Sequence, residues 1–297
     1  MNLLVTGSHG LVGSRLVPEL RRAGHEVVRA VRHAPATSGE VRWDPESGAL
    51  TPAARFDAVI YLAGVGLASG RWTPELKRRA WASRVGATHA LCTWLSRQSP
   101  PRVMLCASAI GIYGDRGDEP LDESSSSGRG YLADLAQAWE TSSDPLRKVG
   151  TRVVHLRLGL VLAREGGALP ALVAPARWGL GGPLGSGRQF WSWVAIDDVV
   201  RIFVRALARP ELAGPVNVVA PVPVPQRDFA RTLGAFLRRP ALLPAPAWAL
   251  RLLLGEMADA TLLASARVFP RRLLEDGFVF EGQTLGDALR ATLETCV

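Results

Sequence analysis

Hydrophobic positions along the chain fall into two alternating textures. Short, mainly apolar strand-like runs occupy 2–6, 26–31, 58–63, 102–108 and 151–158, and such runs predict strands buried on both faces. Between them the apolar residues recur at intervals of three and four, the mark of a helix with one buried stripe. Leu11, Val12, Leu16, Val17 and Leu20 form such a stripe directly after the first run. Regular alternation of strand and helix predicts an α/β fold, a doubly wound parallel sheet covered on both faces. A further short strand is predicted over 41–45, broken by Asp44 and Pro45. The stretch 110–130, with Gly111, Gly114, Gly117, Pro120 and a run of four serines, reads as a loop over the carboxyl edge of the sheet, where ligands of such sheets bind.

Beyond Leu162 the texture changes. Seven glycines between 166 and 187 lead into Trp191, Ser192 and Trp193, which predicts a flexible flap with aromatic anchors. Alternation puts both tryptophans on one side of an extended segment, where they either stack on a sugar or base or cap the core between two lobes. A helix is predicted over 197–209, with Asp197 as its N-cap and Pro210 beyond its end, followed by a strand over 216–219. Short helical patterns then recur at 225–238, 247–264, 270–276 and 284–294 between proline-rich linkers. The predicted organisation is a sheet domain of 1–165 and 191–220, with 166–190 and 221–297 forming a flap and a smaller, mostly helical C-terminal lobe.

Chemistry enters at the end of the first strand. Thr6 is followed by Gly7, Gly10 and Gly13, a TGxxGxxG pattern between a strand and a helix with a second strand after Gly24. That context predicts a dinucleotide cradle. Glycine takes the positive φ of the turn and lets the backbone approach a pyrophosphate, which the free amides of the helix's first turn then face. NAD-selective sites carry an acidic residue at the end of the second strand. Here that region reads Val28, Arg29, Ala30, Val31, Arg32 and His33. The missing acid and the planar donor fork of Arg32 favour NADP(H); the competing reading is a solvated arginine at a strand end.

Composition narrows the remaining classes. The chain has 297 residues, 47% of them hydrophobic, enough for a large core. Its net charge of +8 comes from dispersed arginines without clustered basic runs, so no nucleic-acid partner is expected. Only Lys77 and Lys148 are lysine. Cys92, Cys106 and Cys296 are far apart, and the five histidines show no paired spacing; reduced thiols, no metal and a cytoplasmic location are expected. No secretory leader is expected, because the first residues already belong to a strand. The longest apolar stretch, 241–254, is interrupted by Pro244, Pro246 and Arg251, too broken for a span, and no membrane partner is expected.

Several further segments resemble the extended and atypical short-chain dehydrogenase/reductases, within them the nucleoside-diphosphate-sugar epimerase-like proteins. They are Tyr61, Leu62, Ala63 and Gly64; Arg71 and Trp72; Ser83 and Arg84; Ala107, Ser108 and Ala109 before Tyr113 and Gly114; Trp139 and Glu140; and the 181–187 glycine segment before Ser192 and Trp193. The LLGEMAD sequence at 253–259, with Arg267, Val268 and Pro270 beyond it, resembles that subgroup's own C-terminal domain. The resemblance implies a Rossmann domain that binds NADP(H), with the adenosine passing Ala63 and Gly64 and the nicotinamide between Ser108 and 158–161. The implied cofactor set is Gly7, Gly10, Leu11, Val12, Gly13, Arg32, Leu62, Ala63, Gly64, Ala107 and Leu158. It also implies a small-molecule substrate and, from such relatives, a homodimer.

The family's usual chemistry pairs a serine with a tyrosine and a lysine four residues later. Ser108 fits the serine position, while Tyr113 and Tyr131 are the proton-carrier candidates. Four residues past Tyr131 stands Leu135, and the nearest lysine along the chain, Lys148, is 17 residues away. A phenol with no cation beside it titrates near ~10 and is a poor base at neutral pH. Arg84, or Arg188 from the flap, is the candidate source of the missing charge. Two readings stay open: an NADP(H)-dependent oxidoreductase or epimerase-like enzyme, and an NADP(H)-binding sensor or scaffold without turnover. One departure from the subgroup is Ala195, which stands where its SWIHI sequence carries histidine.

Overall fold

A computed structural model describes residues 1–68 and 70–294. In chain order the strands are β1 (Asn2–Thr6), β2 (Glu26–Val31), β3 (Glu40–Trp43), β4 (Leu50–Thr51), β5 (Ala58–Tyr61), β6 (Val103–Ala109), β7 (Pro120–Leu121), β8 (Arg152–Leu158), β9 (Leu160–Leu162), β10 (Phe190–Trp191), β11 (Trp193–Ala195), β12 (Gly214–Val218), β13 (Val224–Pro225) and β14 (Arg267–Val268). The helices are α1 (Leu11–Arg22), α2 (Pro74–Trp81), α3 (Ala87–Gln98), α4 (Tyr131–Thr141), α5 (Asp144–Arg147), α6 (Leu169–Ala176), α7 (Ile196–Ala208), α8 (Gln226–Phe236), α9 (Ala247–Leu254), α10 (Arg271–Glu275) and α11 (Leu285–Glu294).

Eight strands form the central sheet in the order β12-β8-β6-β5-β1-β2-β3-β4. All pairings are parallel except β3 with β4 at the edge. The doubly wound sheet expected from the alternating pattern is therefore present, in the Rossmann manner. Alternation along β1 explains the two layers: Leu3 and Val5 face a core shared with α1 and α7, while Leu4 faces one shared with α3, α4 and α5. The chain leaves β1 toward β2 on one side and resumes at β5 on the other, so the winding reverses between β1 and β5. A reversal of this kind opens a crevice at the carboxyl ends of the two strands.

Several boundaries differ from expectation. The 110–130 segment is not all loop: a 3-10 turn spans Ile110–Tyr113, and β7 pairs with β14, which stitches the segment to the C-terminal part of the chain. Asp197 is not an N-cap. Helix α7 starts one residue earlier from Ala195, and Asp197 lies within its first turn, where a carboxylate still suits the helix dipole. The long helix expected over 247–264 is α9 followed by a π-helical turn at Ala258–Leu262, because Gly255 takes φ +60 and ends the α-helix.

Trp191 and Trp193 are both core residues. They lie with Leu162, Leu169, Phe229 and Leu289 in the cluster that joins the flap to the C-terminal helices, and Trp191 meets Phe229 edge-on at 5.2 Å. Of the two roles open for these tryptophans, their burial in this cluster is the core-capping one. Cys92 and Cys106 are buried and unpaired, and burial pushes both thiols up, Cys92 to about 12; Cys296 lies outside the described residues.

Candidate functional site

The crevice between β1 and β5 is built from backbone. Gly7 takes φ +65, and a Cβ there would stand 2.7 Å from the Leu62 carbonyl and 2.8 Å from the Ala63 nitrogen. A Cβ on Gly13 would stand 2.3 Å from the Gly7 oxygen and 2.8 Å from Ser8 Cα. Glycine at these two positions is thus what lets α1, the turn and the end of β5 close on one another. Thr6 fixes their spacing: its Oγ1 accepts the Leu62 and Ala63 amides at 3.1 and 3.2 Å. Gly10 turns back on Gly7 through an N–H to carbonyl bond of 2.9 Å, and no side chain caps α1. The first-turn amides therefore keep their donors for an anion.

The other expected cofactor residues are Leu11 and Val12 in α1, Leu62, Ala63 and Gly64 after β5, and, farther along the sheet, Ala107 in β6 and Leu158 at the end of β8. Leu11, Val12, Leu62 and Leu158 are partly exposed against the core below, Ala63 is half-buried, Gly64 is exposed and Ala107 is buried. Arg32 is exposed just past the end of β2. The nearby acid, Glu40, is taken by Arg29 at 2.7 Å and by the Ala36 amide at 2.7 Å, so Arg32 has no counter-charge of its own among the described residues.

A π-helical turn at Ala82–Gly86 supports the loop after β5; such turns often mark functional sites. The turn brings Ser83 and Arg84 against that loop. The Val65 amide donates to Ser83 Oγ at 3.1 Å, and Arg84 donates to the Val65 carbonyl at 2.9 Å. Arg84 also lies over the Trp139 ring at 5.2 Å.

The catalytic candidates separate into two places. Ser108 is 3% exposed, and its hydroxyl donates to Glu140 at 2.8 Å. Glu140 takes a fork from Arg157, Nε to Oε1 at 2.8 Å and the second nitrogen to Oε2 at 2.9 Å. Arg157 also donates to the Tyr113 hydroxyl at 2.9 Å, and that hydroxyl donates to Asn217 at 2.8 Å. Tyr113 is 0% exposed, so it holds β6, β8 and β12 together and presents no face to a ligand. Burial raises its pKa, with Arg157 opposing.

Tyr131 begins α4 at the mouth of the crevice and is half-exposed. A lysine does stand beside it, although not one that neighbours it in the chain. Lys77 of α2 lies over the Tyr131 ring at 4.7 Å and the Trp72 ring at 5.9 Å, and it pairs with Glu256 of the LLGEMAD segment. Its ammonium faces the ring and not the hydroxyl, which donates to the Lys77 carbonyl at 3.0 Å. The Tyr131 pKa is raised, chiefly by burial; Arg84 opposes that shift and Glu256 adds to it. Arg188 is exposed, and no contact connects it with Tyr131 among the described residues.

Comparison with known proteins gives the arrangement its context. The profile described as the NAD dependent epimerase/dehydratase family matches residues 3–219. This chain belongs to that family. A second profile, a domain of unknown function (DUF1731), matches 245–292 and so includes Glu256. An epimerase family protein of Mycobacterium tuberculosis is 42% identical over 287 residues, covering 96% of this chain and 95% of the relative. The chloroplastic SDR39U1 homolog of Arabidopsis thaliana is 35% identical, covering 99% and 87%. The crystal structure of human epimerase family protein SDR39U1 (isoform 2) with NADPH superposes with a TM-score of 0.91 at 32% identity, covering all of both chains. A nucleoside-diphosphate sugar epimerase from Corynebacterium glutamicum gives 0.82 at 33%, covering 99% of this chain and 58% of that one.

Within this epimerase-family chain the buried network has a consequence for pH. His155, on β8 beside Glu140, is 1% exposed, and burial lowers its pKa from 6.5 to about 4. It stays neutral in the folded chain while the unfolded chain takes up a proton. The His155 contribution to stability is therefore full above pH 6.5, is lost as pH drops from 6.5 toward about 4, and changes no further below that. Replacing His155 by Gln should flatten this limb in urea unfolding followed across the same range; an unchanged limb would assign it to other groups.

Proposed function

We propose that this chain is an NADP(H)-dependent oxidoreductase or epimerase-like enzyme acting on a small molecule, a nucleotide sugar being one class to test. The observation that carries the reading is the turn after β1, whose backbone occupies the space that side chains on Gly7 and Gly13 would need and leaves the amides of α1 uncapped. Gly7, Gly10, Leu11, Val12 and Gly13 would border the pyrophosphate and Arg32 the 2′-phosphate. Leu62, Ala63 and Gly64 would border the adenosine, with Ala107 and Leu158 on the nicotinamide side. The NADPH in the human relative's structure supports the phosphorylated form. A nicotinamide coenzyme, when bound, supplies or takes up a hydride. The chain's part is proton handling and orientation: Tyr131 would pass a proton at its phenolic oxygen, with Lys77 and Arg84 as the cations around it. Ser108 would donate its hydroxyl to a substrate oxygen, exchanging its bond to Glu140 for one to the ligand. The protein would work in the cytoplasm.

Arg32→Ala tests the coenzyme assignment. The expected result is about tenfold or more weaker NADPH binding with NADH affected less than about twofold, since a charge-assisted phosphate contact contributes roughly 1.5–3 kcal/mol. Equal losses would remove Arg32 from phosphate recognition. Turnover is tested by Tyr131→Phe and Ser108→Ala in an assay of NADPH consumption against a panel of carbonyl compounds and nucleotide sugars. Loss of rate with coenzyme binding retained supports the enzyme. The second reading, a coenzyme-holding sensor, is favoured by the Tyr131 hydroxyl donating to a backbone carbonyl and would be supported by binding without any consumption.

A further inference from the structure

We propose that the end of α6, the 240–245 strap and α9 form a docking face for the surface of an anionic lipid bilayer. The face is made of apolar side chains that the fold leaves uncovered. Trp178, just past α6, is 85% exposed, and Leu180 is also exposed. The strap runs alongside the same segment: the Gly185 amide donates to the Ala245 carbonyl at 2.8 Å, and the Ala245 amide to the Pro183 carbonyl at 2.8 Å. A Cβ on Gly182 would meet the Leu243 carbonyl and one on Gly179 the Pro240 ring, so the strap that carries the exposed Leu242 and Leu243 runs against the segment that carries Trp178 and Leu180. Helix α9 follows and buries only Leu250. Trp248 and Leu252 stand one turn apart on the side away from Leu250, and both are about two-thirds exposed, as is Leu253 next to them.

Charge selects the partner. Residues 166–196 and 237–255 contain five arginines and no aspartate or glutamate. Arg177 precedes Trp178, and Arg238 with Arg239 precedes the leucines; none of these three guanidiniums forms an ion pair among the described residues. The acids that follow are already engaged, Glu256 with Lys77 and Asp259 with Arg251. Exposed tryptophan and leucine flanked by unpaired arginine suit a bilayer interface, where the rings sit at headgroup level and the guanidiniums meet anionic headgroups. A second copy fits less well, because a twofold contact through this face would bring like charges together with no acids opposite them. The expectation of no membrane partner concerns a span, which the prolines in 241–254 exclude; a surface contact needs only the side of α9 away from Leu250. Beside the face, a cleft of about 310 Å³ has Arg164 and Arg177 over walls that include Val173, Phe236 and Leu237, a chemistry that accepts an anionic headgroup.

Co-sedimentation of the full chain with vesicles tests the proposal. Vesicles of phosphatidylcholine mixed with phosphatidylglycerol should retain the protein roughly tenfold or more better than phosphatidylcholine alone. Trp248→Ser with Leu252→Ser, and separately Arg238→Glu with Arg239→Glu, should each lose most of that retention while the thermal midpoint stays put. Two variants of different chemistry keep the test valid if one folds poorly. The proposal is overturned if neither vesicle retains the wild type or both do so equally. It is also overturned if light scattering finds a dimer that Trp248→Ser with Leu252→Ser converts to monomer, because the face would then belong to a second copy.

Discussion

Gly13→Ala is expected to weaken NADPH binding about a hundredfold or more, roughly 2.7 kcal/mol. The new methyl would stand 2.3 Å from the Gly7 oxygen and 2.8 Å from Ser8 Cα, and both are backbone atoms that cannot rotate aside. The turn has to move, and with it the amides that would face the pyrophosphate. The sheet beneath need not move, so circular dichroism should be retained. Two other glycines grade the effect. A Cβ on Gly10 would lie 3.2 Å from the Gly7 oxygen and should cost less. One on Gly86 meets nothing within 4 Å, and Gly86→Ala should leave coenzyme affinity alone. Calorimetric titration of the three variants checks this ranking, and equal affinities across the series would detach coenzyme binding from the turn.

Glu140→Ala should produce the largest loss of stability, about 3–5 kcal/mol in chemical unfolding. Glu140 joins Ser108 to Arg157 inside the fold; burial alone would raise its carboxyl, but the hydrogen bonds and charge of Arg157, with the Ser108 hydroxyl, hold it below the usual range. Removing it leaves the Arg157 guanidinium, 9% exposed, without its main counter-charge. A companion experiment separates that cost from the worth of the pair: Glu140→Leu combined with Arg157→Met should recover much of the loss, since neither charge then remains buried. A Glu140→Ala variant that unfolds at the wild-type urea concentration would show that the network does not brace the sheet.

These two sites differ in how far the sequence discloses them. The turn at Gly7 is legible because its parts are local. An apolar run, a threonine, three spaced glycines and a helical stripe all lie within the first 20 residues, and each has a conformational reason to be there. The strands are readable for the same cause, as mainly apolar runs that a doubly wound sheet buries on both faces. Helix ends were less so: Gly255 ends α9 because it takes a positive φ, a choice that periodicity does not carry.

The surroundings of Tyr131 were not legible. The family resemblance puts a lysine four residues along the same helix, whereas Lys77 arrives from α2, 54 residues earlier in the chain, and pairs with Glu256. Only tertiary packing brings α2, α4 and the C-terminal domain to one mouth. The scarcity of lysine was the one usable signal, since Lys77 is one of just two. Tyr113 misleads for a related reason. Its spacing from Ser108 suits a reactive pair, yet Arg157 and Asn217 reach it from neighbouring strands and turn the same residues into a brace. Trp191 and Trp193 had two roles open because alternation reports which side a residue faces, while what lies on that side depends on α8 and α11.

Titration of the purified wild-type chain with NADPH and with NADH by calorimetry tests the central claim most directly. One NADPH should bind per chain, at least about tenfold more tightly than NADH, as a charge-assisted phosphate contact predicts. Absence of heat with either coenzyme, or equal affinity for the two, would contradict the account.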